Sequence, residues 1–176
     1  MPRNPVKQVE VGRSHYADML PETGVGHFGC VWHLFVLGHL VQTDLDRVAR
    51  TFGLSFADLE FLGMLPIEPR QAPRATDIAS SLYVSHAAVS SRVARLVREG
   101  LILREPASDD RRAHVLSVTA KGRDLLREAT ALIAREANIV RFFTRLSAED
   151  QQAFTRILGL LHEDYDRLFI GAVRQD

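Results

Sequence analysis

The sequence predicts a mainly helical (α+β) chain in which one β-hairpin interrupts a series of helices. Three observations predict it. Apolar residues recur at helical spacing from Phe28 to Phe52 and again from Phe154 to Leu168. Between these stretches, Ser and Thr capping signals open several shorter helices. LILREP and HVLSVT, on either side of the polar stretch ASDDRRA, are β-prone and close enough to pair.

The elements follow in order. Residues 1–25 carry Pro and Gly without helical periodicity and read as an irregular arm. The first long helix has one stripe at Leu34, Leu37, Val41, Leu45, Val48 and Phe52. A second stripe holds Phe28, Trp32 and Phe35, so this helix is expected to be buried on two sides, one of them by a partner subunit. Ser55-x-x-Asp58 is a capping box for a short helix with Leu59, Leu62 and Leu65 inward. PIEPRQAPR is a loop. Thr76 caps the short helix DIASSLY, and Ser85 caps HAAVSSRVARLVRE, which stops at Gly100. After the hairpin, Thr119 caps a helix expected to reach about Leu146. Ser147-x-x-Asp150 opens the last helix, whose apolar positions are Phe154, Ile157, Leu158, Leu161, Tyr165 and Leu168.

Two short helices, a tight turn and a hairpin directly after the second helix make a winged helix-turn-helix, placed at 55–120. The long helices at both ends, 26–54 and 121–176, carry more apolar surface than so small a core needs. They read as a dimerisation lobe, most simply of a two-fold homodimer.

Bulk composition bounds the function. The 176 residues are 46% hydrophobic and 25% charged, near the average for a soluble globular chain. No apolar run approaches a membrane span, and the N-terminus has no signal-peptide core, so a cytoplasmic protein without a membrane role is expected. A single cysteine, Cys30, excludes an internal disulfide. Net charge is zero, but not uniformly: Arg70 to Asp124 hold ten Lys/Arg against six Asp/Glu, and the remainder twelve against sixteen. The basic segment is the one that holds the helix-turn-helix. There is no Gly-rich phosphate loop, G-x-S-x-G or H-E-x-x-H, so neither an enzyme nor a cofactor is expected.

In the helix opened by Ser85, Val89, Val93, Leu96 and Val97 are expected to face the core. The opposite face offers His86, Ala87, Ser90, Ser91 and Ala94, flanked by Arg92 and Arg95. Small side chains let such a helix enter a major groove about as wide as itself. Ser and His can bond base edges, and Arg can reach guanine or phosphate. At the hairpin tip, Asp110 and Arg112 stand two residues apart. A carboxylate that holds an arginine pre-organises its insertion into the minor groove, which leaves Arg111 for a phosphate. Double-stranded DNA is the partner this pattern fits. The rival is a winged-helix protein-interaction module without DNA binding, and the tip arginines and small-residue face count against it.

Residues 53–123 resemble the MarR family of bacterial transcription regulators. The matching pieces are GLS at 53–55, VSSRVARL at 89–96, REGL at 98–101 and DRRAHVLSVTAKG at 110–122, with Val118 where the family usually has Leu. The resemblance covers about 40% of the chain. It implies a homodimer that reads a pseudo-palindrome, with one recognition helix per half-site, and a wing pair at Asp110 and Arg112 whose arginine enters the minor groove. Ser91 and Arg92 depart from the Arg-Leu common in the family.

The resemblance also implies a stimulus, and three sensors compete. His27, Cys30 and His33, with His39 beyond, recur on one helix. The outer members drift apart round it and no matching His/Cys pair occurs elsewhere, so aromatic packing is expected and no metal site. Cys30 resembles, by its distance before GLS, the reactive cysteine of the oxidant-sensing branch. That branch has a tyrosine four residues on, where this chain has Leu34, and a buried packing cysteine is the expectation. The favoured sensor is a small-molecule pocket lined by Trp32, His33, Phe35, His39 and Glu60, for a small phenolic or anionic effector that relieves repression.

Overall fold

The computed structural model describes residues 4–21, 24–65, 85–106 and 114–173, with side chains described to residue 168. Its elements are α1 (Pro5–Met19), α2 (Phe28–Ala49), a 3-10 turn (Arg50–Phe52), α3 (Phe56–Met64), α4 (His86–Arg98), β1 (Ile102–Pro106), β2 (His114–Val118), α5 (Ala120–Glu136), α6 (Asn138–Phe143) and α7 (Ala148–Val173). The expected short helix after Thr76 and the hairpin tip lie outside the described residues. The chain forms two compact units, Met1–Asp44 and Leu45–Asp176.

In the first unit the expected irregular arm is overturned, because Pro5–Met19 is a helix. The proline read as a breaker stands at the helix start, where its fixed φ is favourable and its missing N–H costs nothing. Asn4 caps it by accepting from the Lys7 N–H at 3.1 Å. The helix lies close to α2: the Phe28 ring fills the space a Cβ on Gly12 would need, and the Tyr16 and Phe28 rings are 5.1 Å apart. Among the described residues, the two apolar stripes of α2 are left largely open. Trp32, Leu34, Phe35 and Leu37 are all exposed, and burial on this helix is confined to Val48 and Ala49.

The second unit is built on a core that joins α3, α4, the hairpin and α5. Leu59, Phe61 and Leu62 of α3 meet Val89, Val93 and Leu96 of α4, with Ile102, Leu116, Val118 and Ala129 closing the cluster. The strands are antiparallel, with Ile102 opposite Val118 and Pro106 opposite His114. A single helix from Thr119 to Leu146 is also overturned. Ala137 is extended (φ −69°, ψ 128°) and divides it into α5 and α6. Arg47 supports the break: its guanidinium donates to the Glu136 carbonyl at 2.9 Å, giving a terminal acceptor its partner. Among the described residues, no helix is long and apolar enough to cross a membrane.

Candidate nucleic-acid interface

The exposed face of α4 is set by how the helix is held. Ser85 accepts from the Ala88 N–H at 3.2 Å and starts the helix. Gly100, at φ 71°, ends it: the Gly100 N–H donates to Val97 O and the Leu101 N–H to Leu96 O, the paired bonds of a Schellman stop. Leu101 and Ile102 then enter the core and begin β1. β1 therefore follows α4 with almost no free linker.

Val89, Val93 and Leu96 are buried as expected. Val97 is not, at 39% exposed. It lies about 80° round the helix from Val89, past the edge of the buried stripe. Ser85, His86, Ala87, Ser90, Ser91 and Ala94 are all exposed and form one continuous small-residue face.

Arg92 and Arg95 occupy a different position from the one the sequence suggests. Both turn to Asp58 of α3, a carboxylate only 1% exposed. Arg95 Nη2 contacts Asp58 Oδ2, and Arg92 Nε stands 3.3 Å from Oδ1. Oδ1 accepts no hydrogen bond among the described residues, so the Arg92 charge is its compensation. Asp58 also completes the predicted capping box: Oδ2 accepts from the Ser55 N–H at 2.8 Å and the Ser55 hydroxyl at 2.6 Å. Burial pushes the carboxyl up, but the hydrogen bonds from Arg95 and Ser55 and the charge of Arg95 outweigh it and hold Asp58 below the usual carboxylate range. Its bond to Asp58 in turn raises Arg95. The Arg92 guanidinium lies over the Phe61 ring, 6.0 Å from its centroid. From the sequence, Asp58 reads as a cap alone. The only further signal is two arginines at i, i+3 beside a capping acid, and nothing local shows that these elements meet.

The base of the wing is fixed by Thr119 and Gly122. The Thr119 hydroxyl donates to Gly100 O at 2.8 Å and accepts from the Gly122 N–H at 3.0 Å. A Cβ on Gly122 would fall well inside contact distance of the Leu101 carbonyl oxygen, so only glycine fits beneath the start of the wing. Lys121 adds a bond to Glu99 O at 2.7 Å. Asp110, Arg111 and Arg112 belong to the stretch between the paired strands and lie outside the described residues.

The expected sensor residues are divided between the two units. Trp32 and His33 line an open groove of about 890 Å³ in the first unit, whose other wall is α1 with Asn4, Lys7, Gln8 and Val11. Phe35 and His39 are exposed on α2 and are not among its lining residues, and Glu60 is exposed on α3 in the other unit. Cys30 was expected to be a buried packing residue and is exposed instead, because no described residue covers its flank of α2. Among the described residues, no three His, Cys, Asp or Glu side chains are grouped to hold a metal.

A winged helix-turn-helix with this capping and glycine pattern can be compared with known proteins. A family model described as MarR family matches residues 52–113, from the turn before α3 to the end of the wing stretch. This region of the chain, the second compact unit's helix-turn-helix, thus matches the MarR family. It is similar to the HTH-type transcriptional repressor Rv2887 of Mycobacterium tuberculosis, at 25% identity over 131 residues, 74% of this chain and 91% of that protein. Its fold is similar to that of the transcriptional repressor CouR bound to a 23-mer DNA duplex, with a TM-score of 0.68, 24% identity, and coverage of 80% of this chain and 98% of CouR. A MepR-like protein complexed with pseudoligands aligns with a TM-score of 0.57 at 27% identity, over 83% of this chain and 98% of that one. The matched region is thus a winged helix-turn-helix of MarR type.

Proposed function

We propose that this MarR-family protein is a cytoplasmic repressor that binds a pseudo-palindromic duplex operator as a homodimer and leaves it when a small phenolic or anionic effector binds. The observation that carries the reading is the exposed face of α4. Its small and polar residues, Ser85, His86, Ala87, Ser90 and Ser91, point away from a core that fixes the helix at both ends. Such a face admits the helix to a major groove and presents hydroxyl and imidazole groups to base edges. The paired strands begin two residues after Gly100, and Asp110, Arg111 and Arg112 fall in sequence between them. Rv2887 and CouR, both named as repressors, support the direction of regulation.

The homodimer is supported by apolar surface that the described residues leave uncovered. Phe154, Ile157, Leu158, Leu161, Tyr165 and Leu168 of α7 are all exposed. Two copies related by a two-fold axis would set recognition helices roughly one DNA turn (~34 Å) apart. For the effector, the groove between α1 and α2 offers Trp32 as an apolar wall and Lys7 and His33 as partners for an anion. An effector there that binds the DNA-free arrangement better shifts the spacing of the recognition helices and lowers operator affinity.

The test is selection of binding sites from random duplex DNA by the purified protein, repeated with Arg112→Ala and at two salt concentrations. A two-fold symmetric motif is expected, with affinity that falls steeply with salt and is lost in the variant. No enriched sequence, with weak and salt-insensitive binding, would instead favour the protein-interaction module.

A further inference from the structure

We infer that Asp58 is a specificity-determining positioning residue: it withholds Arg92 and Arg95 from the DNA backbone, so that α4 reads sequence rather than charge. The inference rests on the DNA-binding reading above. Both arginines stand on one flank of α4, between the buried stripe of Val89, Val93 and Leu96 and the exposed face of Ser90, Ser91 and Ala94. From that flank an extended guanidinium would meet the phosphates that border the groove the helix enters. A phosphate contact raises affinity for every sequence alike and adds nothing to discrimination.

The structure turns both side chains the other way. Arg92 is 17% exposed and Arg95 34%, and each guanidinium is directed at the one buried carboxylate. Asp58 is itself held by Ser55 through two bonds from the start of α3, so it does not follow the arginines outward. Arg92 is further retained over the Phe61 ring. One acid on α3 therefore determines where two cations of the recognition helix point. The base-facing positions are left to small side chains that make no long-range charge contact.

The experiment measures binding of full-length protein to its selected operator and to a scrambled duplex of equal length, by fluorescence anisotropy over a range of salt. In wild type, neither arginine contributes a phosphate contact, so Arg92→Gln and Arg95→Gln each leave the slope of log affinity against log salt unchanged. In Asp58→Asn the slope steepens by about 0.9 for each arginine released onto a phosphate. Scrambled-duplex affinity rises, and the operator-to-scrambled ratio falls about tenfold. The triple variant, which combines Asp58→Asn with Arg92→Gln and Arg95→Gln, returns the slope to its wild-type value. A merely structural Asp58 would lower affinity for both duplexes with the slope unmoved, and that result overturns the inference. So does a slope that falls in Arg92→Gln or Arg95→Gln alone, since that arginine would already sit on a phosphate. If Asp58→Asn does not fold, the two single arginine variants decide by the same criterion. Failure of the DNA reading shows separately, as wild-type protein with no salt-sensitive binding to either duplex, and overturns both.

Discussion

Two helix starts in this molecule carry the same sequence signal and use it differently. At α3, Ser55-x-x-Asp58 closes a capping box, and its acid is buried beneath two arginines of α4. At α7, Ser147-x-x-Asp150 makes a similar local exchange. The hydroxyl accepts from the Asp150 N–H at 3.1 Å and donates to its carboxylate at 2.7 Å, yet both residues are exposed. One motif is a tertiary joint and the other a surface cap. A local motif specifies the local bond, and burial decides whether that bond also holds the fold together.

The largest effect that tests this contrast is removal of the acids. Asp58→Ala leaves two partly buried guanidinium groups without their carboxylate and should destabilise the protein by about 3 kcal/mol in urea unfolding. Asp150→Ala should change stability by no more than about 0.5 kcal/mol. Equal effects at the two sites would end the comparison.

A third helix start sharpens it. Thr119-x-x-Gly122 has the capping hydroxyl but a glycine where the other two have an acid, because the Leu101 backbone occupies the space a side chain would need. Gly122→Ala should therefore cost about 2 kcal/mol through forced displacement of the wing base, read as a lowered unfolding midpoint. Acid supplies the next test. The Asp58 carboxyl is held below its ordinary range when folded, so its contribution is complete above the unfolded value of about 3.9 and is lost as pH falls through the lower folded value. The stability gap between wild type and Asp58→Asn should be constant from about pH 7 to 5 and shrink below about pH 4. A gap that persists undiminished at pH 2 would mean that the carboxylate charge is not what joins α3 to α4.

The contrast also marks how far the sequence can be read. The helix-hairpin-helix order, the Ser55, Ser85 and Thr119 caps and the stop at Gly100 are legible because each depends on residues within a few positions. So is the buried stripe of Val89, Val93 and Leu96, which follows from helical period alone. What is not legible depends on distant chain or on ambiguous signals. Pro5 reads equally as a breaker or as a first helical residue, and Asn4 decides for the helix. The break at Ala137 is supported by Arg47, far earlier in the chain, and nothing beside it announces a stop. Arg92 and Arg95 look free on α4 because their partner is on another helix. Trp32, His33, Phe35 and His39 share α2 with the expected stripes, and the helical period of those stripes does not specify which neighbour covers them.

The smallest effect is the most demanding of the comparison. Ser147→Ala removes a hydroxyl that caps one N–H, but the Ser147 carbonyl still accepts from the Gln151 N–H at 2.9 Å, and the Gln151 side chain still holds Leu146 O at 3.0 Å. The loss should be about 0.5 kcal/mol, near the low end for a cap, and confined to faster amide exchange in the first turn of α7. Ser55→Ala removes a cap and, with it, a donor to a buried carboxylate, so it should weaken the α3–α4 joint as well. A double-mutant cycle separates the two cases. Ser55 with Asp58 should couple by about 1 kcal/mol or more, and Ser147 with Asp150 by only a few tenths. Strong coupling at Ser147 would mean that the α7 cap is also buried in the functioning molecule, as it would be if a partner subunit covered that end of the helix.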